Sequence, residues 1–119
     1  MNKHAFIVYS GEKDIGKVFH AMIYAKQANS RGDKVELYFA AEGTALPDIL
    51  AKKEHSMNSL FEDVNNDGII KGACENCSIA FNTKDKVEKH MDLVKGPECS
   101  SGQIDILGLE DDGYRVWIF

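Results

Sequence analysis

The sequence predicts an α/β fold: a largely parallel β-sheet covered by helices on both faces. Three observations carry this reading. Short apolar runs rich in β-branched and aromatic residues alternate with helical stretches, as βαβ units require. The runs are almost continuously apolar, as strands buried on both faces are. The chain has 119 residues and is 44% hydrophobic, enough for one domain with its own core and too apolar for a disordered chain.

Residues 4–9, HAFIVY, read as the first strand, stopped by Ser10-Gly11. A helix follows over about 14–31, with Ile15, Val18, Phe19 and Met22 at i, i+3, i+4 and i+7 and Gly32 as its stop. Lys34–Ala41 is the second strand. Pro47 opens a short helix, and Ser56–Val64 suggests another. The turn Asn65-Asn66-Asp67-Gly68 leads into a third strand, Ile69–Ala73. Helices are read from about Cys74 to Phe81 and from about Lys84 to Leu93. Ile104–Leu107 and Tyr114–Phe119 read as two late strands around Glu110-Asp111-Asp112-Gly113. The last of them concentrates aromatic bulk. It reads as a core strand, with a subunit interface as the alternative.

A net charge of −5 argues against a nucleic-acid binder, which needs a basic footprint. No apolar run approaches the roughly 18 residues of a membrane helix. The N-terminus is broken by charge and glycine too early for a signal peptide. Three cysteines, Cys74, Cys77 and Cys99, are an odd number. Together these features predict a cytoplasmic protein with free thiols and no disulfide scaffold.

Three motifs stop short of a function. Gly11-Glu-Lys-Asp-Ile-Gly16-Lys17-Val18 nearly matches a phosphate loop, but Val18 stands where the magnesium-binding hydroxyl belongs. Asp63, Asn65, Asp67 and Gly68 fit the first half of a calcium loop, but Cys74 replaces its bidentate glutamate. Cys74, Cys77, His90 and Cys99 could make a tetrahedral zinc set, although Cys99 lies beyond the usual finger spacing. His90 alone reads as a solvated helix residue beside Lys89.

The C-x-x-C itself reads as thiol chemistry. In parallel sheets, reactive groups gather at the carboxyl ends of strands, here the loops Ser10–Asp14, Ala41–Thr44 and Gly72–Cys77. Cys74 ends a strand and opens a helix, where unpaired N–H groups are expected to lower its pKa. Glu75 opposes that effect. Cys77, one turn on, could act as a second or resolving thiol. Its inert counterpart is a pair of small buried thiols that pack a helix onto a sheet.

Over nearly the whole chain the pattern resembles the DsrE/DsrF-like proteins, small sulfur-relay subunits. The likeness rests on Phe6-Ile-Val-Tyr-Ser-Gly11, on Met22–Ala28 followed by Gly32-Asp-Lys-Val-Glu-Leu-Tyr-Phe39, on Glu42-Gly43 after the second strand, and on Gly72-Ala73-Cys74 after the third. The resemblance implies a flavodoxin-like three-layer α/β/α sandwich on a mostly parallel sheet of five or six strands, assembled as a homo-oligomer, a trimer or hexamer. It implies that Cys74 takes sulfane sulfur from a donor and passes it to an acceptor protein; no cofactor or metal is expected. Cys77 departs from the single-cysteine members. Ser10, Gly11, Gly43, Ala73, Glu75 and Asn76 are the residues expected to line the substrate site. The alternative is a non-catalytic protein, stabilised by zinc or binding a small ligand.

Overall fold

In the computed structural model, which describes residues 1–119, five parallel strands form one sheet in the order β4-β3-β2-β1-β5. The apolar run near the N-terminus is β1, Lys3–Val8, buried from Ala5 onward. It pairs with β2, Lys34–Phe39, from Lys3 opposite Lys34 to Val8 opposite Phe39. On its other side it pairs with β5, Tyr114–Ile118. β3, Ile70–Cys74, pairs with β2, and the two-residue β4, Leu93–Val94, pairs with Ala73 and Cys74.

Helix α1, Ile15–Ser30, joins β1 to β2; α2, Leu46–Leu50, and α3, Asn58–Asn66, lead to β3. Helices α4, Glu75–Ala80, and α5, Lys84–Glu88, lead to β4, and α6, Ile106–Asp111, precedes β5. From β1 to β4 the chain steps in one direction. Right-handed crossovers then place α1, α2, α3 and α5 on one face, while Cys77 of α4 packs on the other. The return to β5 crosses the sheet and leaves α6 for the other face.

The apolar clusters follow this topology. On the first face, Phe6, Val8, Leu37 and Phe39 pack against Val18 and Met22 of α1 and Phe61 and Val64 of α3, within a cluster of 18 buried residues. On the second face, Ala5, Ile7, Tyr38 and Ala40 meet Cys74, Cys77, Ile104 and Tyr114 in a cluster of only 8. The protein is thus an α/β sandwich with one thick outer layer and one thin one. Both thiols belong to the thin one. The strands being parallel, β1, β2 and β3 all end on one side, so the three expected loops converge there.

Four expectations are corrected. Ile104–Leu107 is not a strand: the Asp105 carboxylate accepts a 3.0 Å bond from the Gly108 N–H and starts α6. A short apolar run fits either structure, and the cap decides. The helix expected to reach Leu93 ends at Glu88, because Leu93 and Val94 extend to pair with β3. Phe19 is 40% exposed; the buried stripe of α1 is Val18, Ala21, Met22, Ala25 and Ala28. Three alanines there let the helix lie close to the sheet. The final strand, expected in the core, is an edge strand with Trp117 and Ile118 exposed.

The partial calcium loop is not a loop. Asp63 and Asn65 lie within α3, and Asp63 accepts from Lys26 Nζ at 3.2 Å. No helix is long and apolar enough to cross a membrane.

Candidate functional site

β3 runs through Gly72 and Ala73 to Cys74, its last residue, and the chain turns there into α4. The Cys74 sulfur serves as the helix cap: the Cys77 N–H donates to its Sγ at 3.3 Å. Ser78 Oγ donates to the Cys74 carbonyl at 2.7 Å and pins the turn from behind. Cys77 therefore sits one helical turn above Cys74, as the spacing predicts.

A strap over residues 95–103 closes the site. The Gly96 N–H donates to the Gly102 carbonyl at 3.0 Å, and the Gly102 N–H donates to Pro97 at 2.9 Å, which holds the strap as a closed loop. Asn76 Nδ2 donates to the Ser101 carbonyl and ties it to α4. The Gln103 side chain then reaches both thiols. Its Oε1 lies 3.2 Å from Cys77 Sγ and 4.0 Å from Cys74 Sγ, and the Gly102 carbonyl is 3.8 Å from Cys74 Sγ. Cys74 is fully buried and Cys77 is 5% exposed.

This enclosure reverses the expected acidity. Burial, and then the hydrogen bond with the Cys77 thiol, push the Cys74 thiol up to about 11. Backbone N–H groups of Cys77 and Asn76 pull the other way, as expected at a helix start. They lose because α4 has only six residues and the sulfur is cut off from water. Tyr9 borders the same space. Its phenol is raised by burial, and further by the facing Cys77 and Cys74 sulfurs.

The remaining expected residues divide. Ala73 is buried beside Cys74, and Glu75 and Asn76 open α4. Ser10, Gly11 and Gly43 make their contacts at the loop junction beside the site. The Ser10 N–H donates to the Phe119 carbonyl, Gly11 packs on Glu42, and Gly43 sits under the Val8 carbonyl, where a Cβ would lie at 2.4 Å. They fasten the end of β1 to the turn after β2. Tyr9 and Gln103, which the sequence reading does not single out, border the sulfurs. Period-two parity with Ile7 marks Tyr9 as facing the thin layer. No local pattern marks Gln103.

The zinc set does not assemble. His90 is half-buried and bonds Asp48 Oδ1 through Nε2 at 3.0 Å, which holds the Asp48 carboxyl below its usual range. Cys99 is exposed on the strap, and no three His, Cys, Asp or Glu side chains stand in metal-binding proximity. Outside the thiols, Glu75, Asn76, Lys95, Glu98 and Ser101 line a polar recess of about 260 Å³. Asn76 and Gly102 form the wall between this recess and the sulfurs.

Fold and site together define an α/β protein with a covered dithiol at the carboxyl end of a parallel sheet. No protein-family model matches the chain. It is 25% identical over 118 residues to uncharacterized protein MJ0733 of Methanocaldococcus jannaschii, an alignment that spans 96% of this chain and 93% of that protein.

Proposed function

We propose that this chain is a sulfur-relay protein that holds sulfane sulfur as a persulfide on Cys74, with Cys77 as the second thiol. The observation that carries the reading is the pair of thiols under one cover. Both sulfurs face the same acceptor, Gln103 Oε1, at the strand end where parallel sheets place their chemistry. The resemblance to sulfur-relay subunits supports the same assignment of Cys74.

The steps follow from the chemistry of thiols. With the strap displaced, Cys74 loses its proton to solvent and its thiolate attacks the outer sulfur of a donor persulfide. The donor's S–S bond breaks, the donor leaves as a thiolate, and Cys74 carries the persulfide. An acceptor thiolate attacks that outer sulfur, and Cys74 thiolate leaves. Cys77 offers a competing exit: attack on the inner sulfur forms a Cys74–Cys77 disulfide and releases hydrosulfide. The Cys77 N–H, already donating to Cys74 Sγ, stabilises the Cys74 thiolate that attacks the donor and the one that leaves on transfer to the acceptor. The closed strap protects the stored sulfur from stray thiols.

The test is intact-mass measurement after incubation of reduced protein with a low-molecular-weight persulfide, in a Cys99→Ser background because Cys99 is exposed. One added sulfur atom is expected on this parent and on its Cys77→Ser derivative, and none on Cys74→Ser. The Cys77→Ser adduct is expected to persist longer, because its internal exit is closed. No adduct on the parent, or an equal adduct on Cys74→Ser, removes the proposal.

A further inference from the structure

The two edges of the sheet are built differently. β4 offers two half-buried residues, a short edge that gives another strand little to pair with. β5 offers five, with one charge among them, and Trp117 and Ile118 are 45% and 55% exposed. Phe119 shows which way its backbone faces. Its N–H donates to Ile7 and its carbonyl accepts from Tyr9, at 2.9 and 2.8 Å. Residues in phase with Phe119, which are Trp117 and Arg115, turn their backbone groups toward β1. Tyr114, Val116 and Ile118 turn theirs outward. No turn, loop or side chain in the protein hydrogen-bonds to the backbone of Val116 or Ile118.

We propose that β5 is the seam of a twofold homodimer, pairing antiparallel with β5 of a second copy about Val116. The strand is complementary to itself in this register. Its midpoint is Val116, so pairing there engages all five residues. Val116 lies opposite its own copy and exchanges both backbone bonds with it. Arg115 lies opposite the second copy's Trp117, on one face and twice over, which sets a guanidinium against an indole at contact distance. Tyr114 lies opposite Ile118 on the other face, again twice. Pairing centred on Arg115 would instead oppose two like charges. A second copy therefore suits this edge, and the joined sheet has ten strands. The inference is independent of the sulfur-relay reading.

The groove beside the seam fits the same arrangement. It holds about 300 Å³ and is lined by His4, Phe6, Tyr24, Trp117 and Phe119. Trp117 Nε1 donates to His4 Nδ1 at 3.1 Å, and Phe6 stacks on the indole with centroids 6.4 Å apart. The indole is thereby held in place before any partner arrives, so little side-chain order is lost on pairing.

Sedimentation equilibrium tests the seam. Wild type is expected at twice the chain mass of 13.2 kDa, or at an even multiple of it. Val116→Pro is expected to halve the mass, because its N–H belongs to the seam and not to the β1 ladder. Ile118→Lys, a charged edge, is the second variant and decides the matter if circular dichroism shows Val116→Pro unfolded. Trp117 is the only tryptophan, so its emission reports the seam directly. It is expected to shift red as wild type is diluted, and to be red-shifted at every concentration in Ile118→Lys. A monomeric or trimeric wild type, or a mass unchanged by the folded variants, overturns the proposal.

Discussion

Gly96→Ala is expected to uncover the thiols and raise their alkylation rate at neutral pH by about tenfold or more. A Cβ at position 96 would lie 1.5 Å from the Gln103 carbonyl oxygen, 2.4 Å from its carbon and 2.8 Å from the Gly102 carbonyl carbon. All three are backbone atoms, so no side chain can turn aside. The strap must open. With it go the bond from the Gly96 N–H to Gly102 and the placement of Gln103 Oε1 over both sulfurs. The damage is local. The larger core lies on the opposite face of the sheet, and none of its residues belongs to the strap. The cost to stability is about 1–3 kcal/mol, as for other overpacked sites, and the sheet persists. The measurement is iodoacetamide labelling with peptide mapping of Cys74 and Cys77 in a Cys99→Ser background. Gly16→Ala is the control: its Cβ would meet nothing within 4 Å, and labelling should match the parent. A folded Gly96→Ala protein that labels at the parent rate would show that something other than the strap covers the sulfurs.

The reach of the sequence follows the range of the interaction that decides each feature. β1, β2 and β3 were legible because each sends side chains into both apolar clusters, and that leaves a run of mostly apolar residues in the chain itself. The placement of Cys74 at a strand-to-helix turn was legible for the same local reason. Residues 104–107 were not, because an apolar tetrad fits a strand or a first helical turn and the choice fell to one Asp105 carboxylate. The short strand β4 was not, because two residues extend only where Ala73 and Cys74 offer them a partner. In the site, the acidity of Cys74 came out with the wrong sign. The attraction of a helix start is local and visible in the sequence. The burial that overrides it comes from residues distant in the chain, among them Ile7, Tyr38 and Ile104 of the thin layer and Gly102 and Gln103 of the strap. Ser10, Gly11 and Gly43 sit at the correct end of the sheet, but they serve the junction of two loops.

The alkaline limb of stability is expected to carry the signature of the covered thiol. A thiol in an unfolded chain ionises near 9, whereas folding pushes Cys74 up to about 11. The folded state therefore favours the neutral thiol. Its contribution is intact below about pH 9, where both states are protonated. As pH rises toward about 11, the unfolded chain sheds its proton first, and stability falls. Two pKa units correspond to about 2–3 kcal/mol across that window. The phenols of Tyr9 and Tyr38, also raised by burial, steepen the same limb, so wild type must be compared with Cys74→Ala. Unfolding free energies of the two proteins from urea titrations, taken from pH 7 to 11, should converge by about 2 kcal/mol as the wild-type thiol titrates. A constant difference would place the sulfur in contact with water and remove the basis for a gated site. The same shift leaves Cys74 with about a hundredth of the thiolate that an ordinary cysteine has at neutral pH. Sulfur transfer of the proposed kind would thus require the strap to open, and Gly96→Ala should relieve both restraints at once. In that variant the alkaline loss of stability attributable to Cys74 should shrink as its alkylation rate climbs, because one event, the return of water to the sulfur, governs both.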